Sequence, residues 1–178
     1  MNRRIRSVSA ILLLVGLLAV AAYAAVTFDP SSGTGFVGKG DVQTAFGWNN
    51  AELQANASGV TFTYVAVDTY DVTVEWDTGN ADQPQSIQHH IITQTKRASV
   101  NATVAYDART HKQIDGFILT GYGSTTTEGT IPSVGDILVD PQTGNPYPTD
   151  HVVTAVTLVS STGGLYVNYG STSVLIWP

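Results

Sequence analysis

The feature that most constrains this chain is an apolar–polar alternation with a period of two, which recurs from residue 59 to residue 177. Successive side chains of a β-strand point to opposite faces, so such runs bury one face and wet the other. In GVTFTYVAV (59–67), Val60, Phe62 and Tyr64 share a face opposite Thr61 and Thr63. In TYDVTVEW (69–76), Tyr70, Val72, Val74 and Trp76 alternate with Asp71, Thr73 and Glu75. VNATVAY, GFILTGY, HVVTAVTLVS, GLYVNYG and SVLIW continue the pattern, and none contains proline, as a ladder of backbone donors requires. Thr162-Gly163-Gly164 reads as a hairpin turn. GYGSTTTEGT and DPQTGNPYPTD read as long polar loops. The front is helix-poor: KGDVQTAFGW reads as a strand, with a one-turn helix as the alternative, and NNAELQANA as a short helix capped by Asn50 with Leu53 inward. Eight or nine short strands in one domain predict an all-β β-sandwich or barrel-like sandwich.

Residues 1–24 read as a secretory signal peptide. Arg3, Arg4 and Arg6 form a basic start, 10–22 an apolar stretch, and Ala22-Tyr23-Ala24 a small-x-small cleavage site. Residues 25–178 would then form the single extracellular domain, secreted or associated with the cell envelope. That segment carries five Lys or Arg against 14 Asp or Glu, a formal charge of 5 − 14 = −9. An acidic surface repels nucleic acid and anionic lipid, so neither is an expected partner. No second apolar span follows, so no membrane span is expected in the exported chain. The absence of cysteine removes disulfides, thiolate metal sites and thiol nucleophiles.

Chemistry-bearing residues are few. His89 and His90 are adjacent in QSIQHHIITQTKR; on a strand their rings lie on opposite faces, so one metal does not readily take both. His111 falls in a basic loop and His151 beside Asp150. No nucleophile elbow, zinc helix motif or phosphate loop is present, and the glycines of GTGFVGKGD read as turns or close backbone approach. Of three glutamates, Glu75 with Asp71 or Asp77 is the candidate acid pair for polysaccharide hydrolysis. Asp136, Asp140 and Asp150, in the polar stretch 125–150, are candidate ligands for a structural calcium ion; no other cofactor is expected. Tyr122 and Tyr147 are the candidate exposed aromatics for stacking on a sugar.

Two blocks, GFVGKGDVQTAFGWNNAELQANA (35–57) and VNATVAYDARTHKQIDGFILTGY (100–122), resemble segments of uncharacterised small secreted bacterial proteins. The resemblance implies export by a bacterium and brings no catalytic or ligand residue. The expected function is a non-catalytic binding or structural module that meets a cell-surface polymer or a partner protein. The alternatives are a secreted polysaccharide hydrolase and a calcium-stabilised adhesin-like domain.

Overall fold

The computed structural model describes residues 26–80, 82–139, 143–146 and 151–178. The signal-peptide reading of 1–24 lies outside them. The described chain is all-β, as the alternation predicts: one curled antiparallel sheet of seven strands, a half-barrel, with two short helices. The strands are β1 (Thr27–Asp29), β2 (Thr34–Gly38), β3 (Thr61–Asn80), β4 (Gln83–Tyr106), β5 (Ile114–Glu128), β6 (Val152–Tyr169) and β7 (Thr172–Trp177). Their order across the sheet is β1-β2-β5-β4-β3-β6-β7. Among the described residues, no helix is long and apolar enough to cross a membrane.

The strands are longer and fewer than the local patterns predict. The runs 59–67 and 69–76 are one strand of 20 residues, because Phe62, Tyr64, Asp68, Tyr70, Val72 and Val74 keep the same phase throughout. The two runs on either side of Thr162-Gly163-Gly164 are likewise one strand, β6. The glycines are not a turn. A Cβ on Gly163 would enter the ring of Tyr64, and one on Gly164 would strike Leu175, so each is bare to admit a neighbour's side chain. The β6–β7 turn falls instead at Gly170, with φ of 57°. GYGSTTTEGT is not a loop up to Glu128: it continues β5, paired with β4 from Tyr122↔Val100 to Glu128↔Thr95.

The segment read as a strand at 39–48 is a helix, α1 (Lys39–Phe46), followed by α2 (Asn50–Asn56). Asp41 accepts the Gly38 N–H at 3.1 Å, and Gly47 ends α1 in the left-handed region with φ of 70°. Asn49, one residue before the expected cap, accepts the N–H groups of Ala51 and Glu52, and Glu52 reaches back to the Asn49 N–H at 2.8 Å. Leu53 points inward as expected. The glycine-rich stretch before α1 serves both roles expected of it. Gly33 turns the β1–β2 hairpin with φ of 71°, and Gly35 lies against the Thr27 carbonyl.

Two apolar clusters result. The base cluster joins Val42, Leu53, Phe62, Phe117, Leu165 and Val167, with the helices covering the sheet. The tip cluster is smaller, with Val72, Val74, Leu138 and Val153 buried. Its cover is the segment after β5. That segment is tied down by Gly135 N–H to Val153 O at 2.8 Å and Val153 N–H to Asp136 O at 2.9 Å, and it inserts Leu138.

Candidate binding edge

The sheet is uneven along its strands. β5 ends at Glu128, opposite Thr95, and β7 ends at Trp177, opposite Leu165. Beyond those points, among the described strands, β4, β3 and β6 continue, as a three-stranded arm from about Val67 to the β3–β4 turn. Thirteen residues of strand give the arm a length of roughly 40 Å. Among the described residues, no strand pairs with the β5 side of β4 before Thr95. A groove of about 860 Å³ runs along this open edge, between His90–Thr93 on one side and Gly129–Pro132 with Asp136–Val139 on the other. Its walls are mainly apolar, with Ile91, Ile92, Ile131, Ile137 and Leu138 among them.

The opposite faces expected of His89 and His90 are what the pairing produces. His89 lies beside Thr73 and bonds the Asp71 carboxylate at 3.0 Å; His90 lies beside buried Val72. Ile87 and Ile91, two residues either side of His89, share its outer face and are 59% and 66% exposed. They are isoleucines left in water on an open strand, which is how a docking edge differs from a guarded one.

Between the two apolar clusters the inner face carries a charged residue. Asp68 is buried in phase with Phe62 and Val72. Ser161 Oγ donates to it at 2.6 Å and Lys96 Nζ at 2.9 Å. The Ser161 bond first, then the Lys96 ammonium, holds its carboxyl below the usual value, and the same pairing raises Lys96.

Of the sequence candidates, Tyr122, Asp136, Asp71, Glu75 and Asp77 lie among the described residues. Tyr122 is half-buried rather than displayed. Its ring packs against Phe28 and Tyr64, with centroids 6.4 and 6.1 Å away, and its hydroxyl donates to Pro30 O at 2.6 Å. Burial pushes its phenol up to about 12. Tyr122 therefore fastens the β1–β2 hairpin to the sheet. Asp136 Oδ2 accepts the Ser133 N–H at 2.8 Å, shaping the turn that positions Leu138. Tyr147, Asp140 and Asp150 lie outside the described residues. Among the described residues, no three His, Asp or Glu side chains gather as a metal would need. Asp71 and Glu75 are four residues apart on one strand, ~13 Å by strand rise, whereas a sugar-cleaving pair stands about 5–9.5 Å apart. Glu75 accepts from Thr154 at 3.1 Å, and Asp77 accepts the Gly79 N–H in the hairpin turn at 2.8 Å.

The open edge of β4 is not among the sequence candidates. Its signal is present in QSIQHHIITQT: eleven residues without one charge, carrying isoleucines on the face a solvated strand would make polar. No protein-family model, curated protein or solved structure matches the chain.

Proposed function

We propose that this chain is an exported, non-catalytic binding or structural module of the bacterial cell envelope or exterior. Its ligand is a partner protein or a surface polymer, and it binds along the open edge of β4 and the groove beside it. The observation that carries this reading is the arm, where a long strand edge lies beside an apolar groove and exposes Ile87 and Ile91. An extended chain laid there would gain backbone hydrogen bonds from the edge and seat alternate side chains against the groove. Export, which the N-terminal pattern supports, would place that edge where envelope components are its neighbours.

The test is a paired capture from envelope and culture extracts of the host, using the protein as the host produces it and a His89→Pro variant. Proline at His89 removes an edge donor without touching the base cluster. Retention of one polymer or protein by the native chain, lost in the variant, is expected. Equal retention by both would move the site elsewhere. Retention by neither, together with hydrolysis of a polysaccharide panel, would replace this reading with the enzyme.

A further inference from the structure

We infer that the occupant of the open edge is a second copy of this chain, paired antiparallel, β4 against β4, about a two-fold axis at His89. This rests on the reading of the edge as the binding surface and names its partner.

The direction of the backbone comes first. Gly129 lies against the Thr93 carbonyl, so that carbonyl points away from β3. Backbone groups alternate along a strand, so Ile87, His89 and Ile91 also direct their N–H and C=O groups to the open side. Two copies paired about an axis normal to the sheet place residue i opposite residue j of the same face, so i and j sum to an even number. With the axis at His89 the sum is 178. His89 then faces His89, and Ile87 faces Ile91 twice, once on each side of the axis. The two exposed isoleucines thus become two cross-strand pairs.

The length of the edge fits the same centre. β4 begins at Gln83 and is covered by β5 from Thr95, and 83 + 95 = 178. The arm of each copy therefore lies along the notch of the other and stops at Gly129, which follows β5 and sits against Thr93. The arm regions join into six continuous strands, β6-β3-β4 of one copy and β4-β3-β6 of the other, and the bodies stand at opposite ends. Moving the axis one residue, to His90, would set His89 against Ile91 and Ile87 against Thr93, losing both isoleucine pairs.

Charge points to a copy rather than to a basic partner. The chain as a whole has a formal charge of −6, yet residues 85–95 carry none, and the nearby Asp71 is bonded to His89. Two acidic molecules can approach along this strip without opposing like charges. A contact that uses the same patch on both subunits closes on itself and does not run on into a fibre.

Sedimentation of the purified protein over a range of concentrations reads the mass, and single cysteines in this cysteine-free chain read the register. A concentration-dependent dimer is expected. Ile91→Lys places a lysine against Ile87 at both symmetric positions, and we expect it to raise the dimer dissociation constant roughly tenfold or more. His89→Cys is expected to form an intermolecular disulfide under mild oxidation, because opposed residues of a hydrogen-bonded pair stand about 5.5 Å apart at Cα. Ile91→Cys should not, because its own copy is four residues away along the strand, ~13 Å. Circular dichroism confirms that each variant is folded, and His89→Cys leaves the isoleucines in place should Ile91→Lys fail to fold. A dimer indifferent to Ile91→Lys, or one trapped at Ile91→Cys, would overturn the register. A monomer at every concentration would overturn self-pairing. If that monomer still captures a host component through the edge, the binding-module reading stands and only its occupant changes; if it captures nothing, both fall.

Discussion

Asp68 is an acid buried between two apolar clusters, and its behaviour with pH follows from its two partners. Its folded-state pKa is depressed, so the stability it contributes is present above the unfolded value of about 4 and is lost as pH falls below that. Lys96 is raised, so its share is present below about 10.5 and is lost as pH climbs past that value. Lys96 is half exposed, so water screens the pair and the contribution is discounted to about 1 kcal/mol. Asp68→Asn should therefore lower the melting temperature at pH 7 and flatten its fall between pH 5 and 3, as calorimetry across that range would record. Tyr122 has the opposite sense for an acid. Its raised pKa stabilises the fold below about 10, and that stability drains away between 10 and about 12. Absorbance titration should show a late phenol that is lost in Tyr122→Phe; a late phase that survives the substitution would take the burial of Tyr122 out of the account. Residue-level chemistry was legible only in part. The opposite faces of His89 and His90 follow from periodicity alone, whereas Tyr122 looks exposed in a sequence of glycines and threonines because its partners Phe28 and Pro30 arrive from 94 and 92 residues away.

The tip cluster shows what an element can lose. Leu138 is its plug, held by a turn that Asp136 shapes. Leu138→Ala should cost about 2–3 kcal/mol, near the low end for buried leucine because one wall of the cluster is a surface segment able to settle inward. Amide exchange of Val72 and Val74 should speed up while that of Phe62 and Phe117 holds; uniform acceleration would show that the two clusters unfold as one. Strand type and phase were readable, because buried and exposed residues alternate wherever the sheet has one dry face. Strand length was not. A charged residue at Asp68 and a Gly-Gly pair at 163–164 carry the local marks of an ending, and only Lys96, Ser161 and Tyr64, from other strands, turn them into interior positions. Helix α1 was hidden for a related reason: Val42, Thr44, Phe46 and Trp48 alternate, but Asp41 bonding back to Gly38 and Gly47 at the far end set a helical turn between them.

At the scale of the molecule, twelve buried residues at the base against four at the tip, counted among the described residues, imply unequal stability. Val72→Asp buries a charge within the smaller cluster. It should melt the arm and abolish edge-dependent binding while the base keeps its near-ultraviolet signal from Phe46, Trp48 and Tyr169, which stack at centroid distances of 4.6 to 6.1 Å. Loss of that signal together with the arm would show a single cooperative unit. The overall class was legible because alternation and the lack of cysteine leave few ways to bury a face. The open edge was not, since it depends on where β5 stops, and a run of threonines does not announce its last paired residue.

Strand β3 has neighbours at very different distances along the chain. β3 meets β4 across one tight turn, but Asp68 and Ser161, side by side in the sheet, are separated by 93 residues. The hairpin is the sort of local contact that closes in microseconds, whereas the β6 pairing waits on a long loop closure. For that interval β3 has one edge satisfied and one bare. The slow step in assembly is then the arrival of β6, and a chain still lacking it is the state most exposed to pairing with the wrong strand.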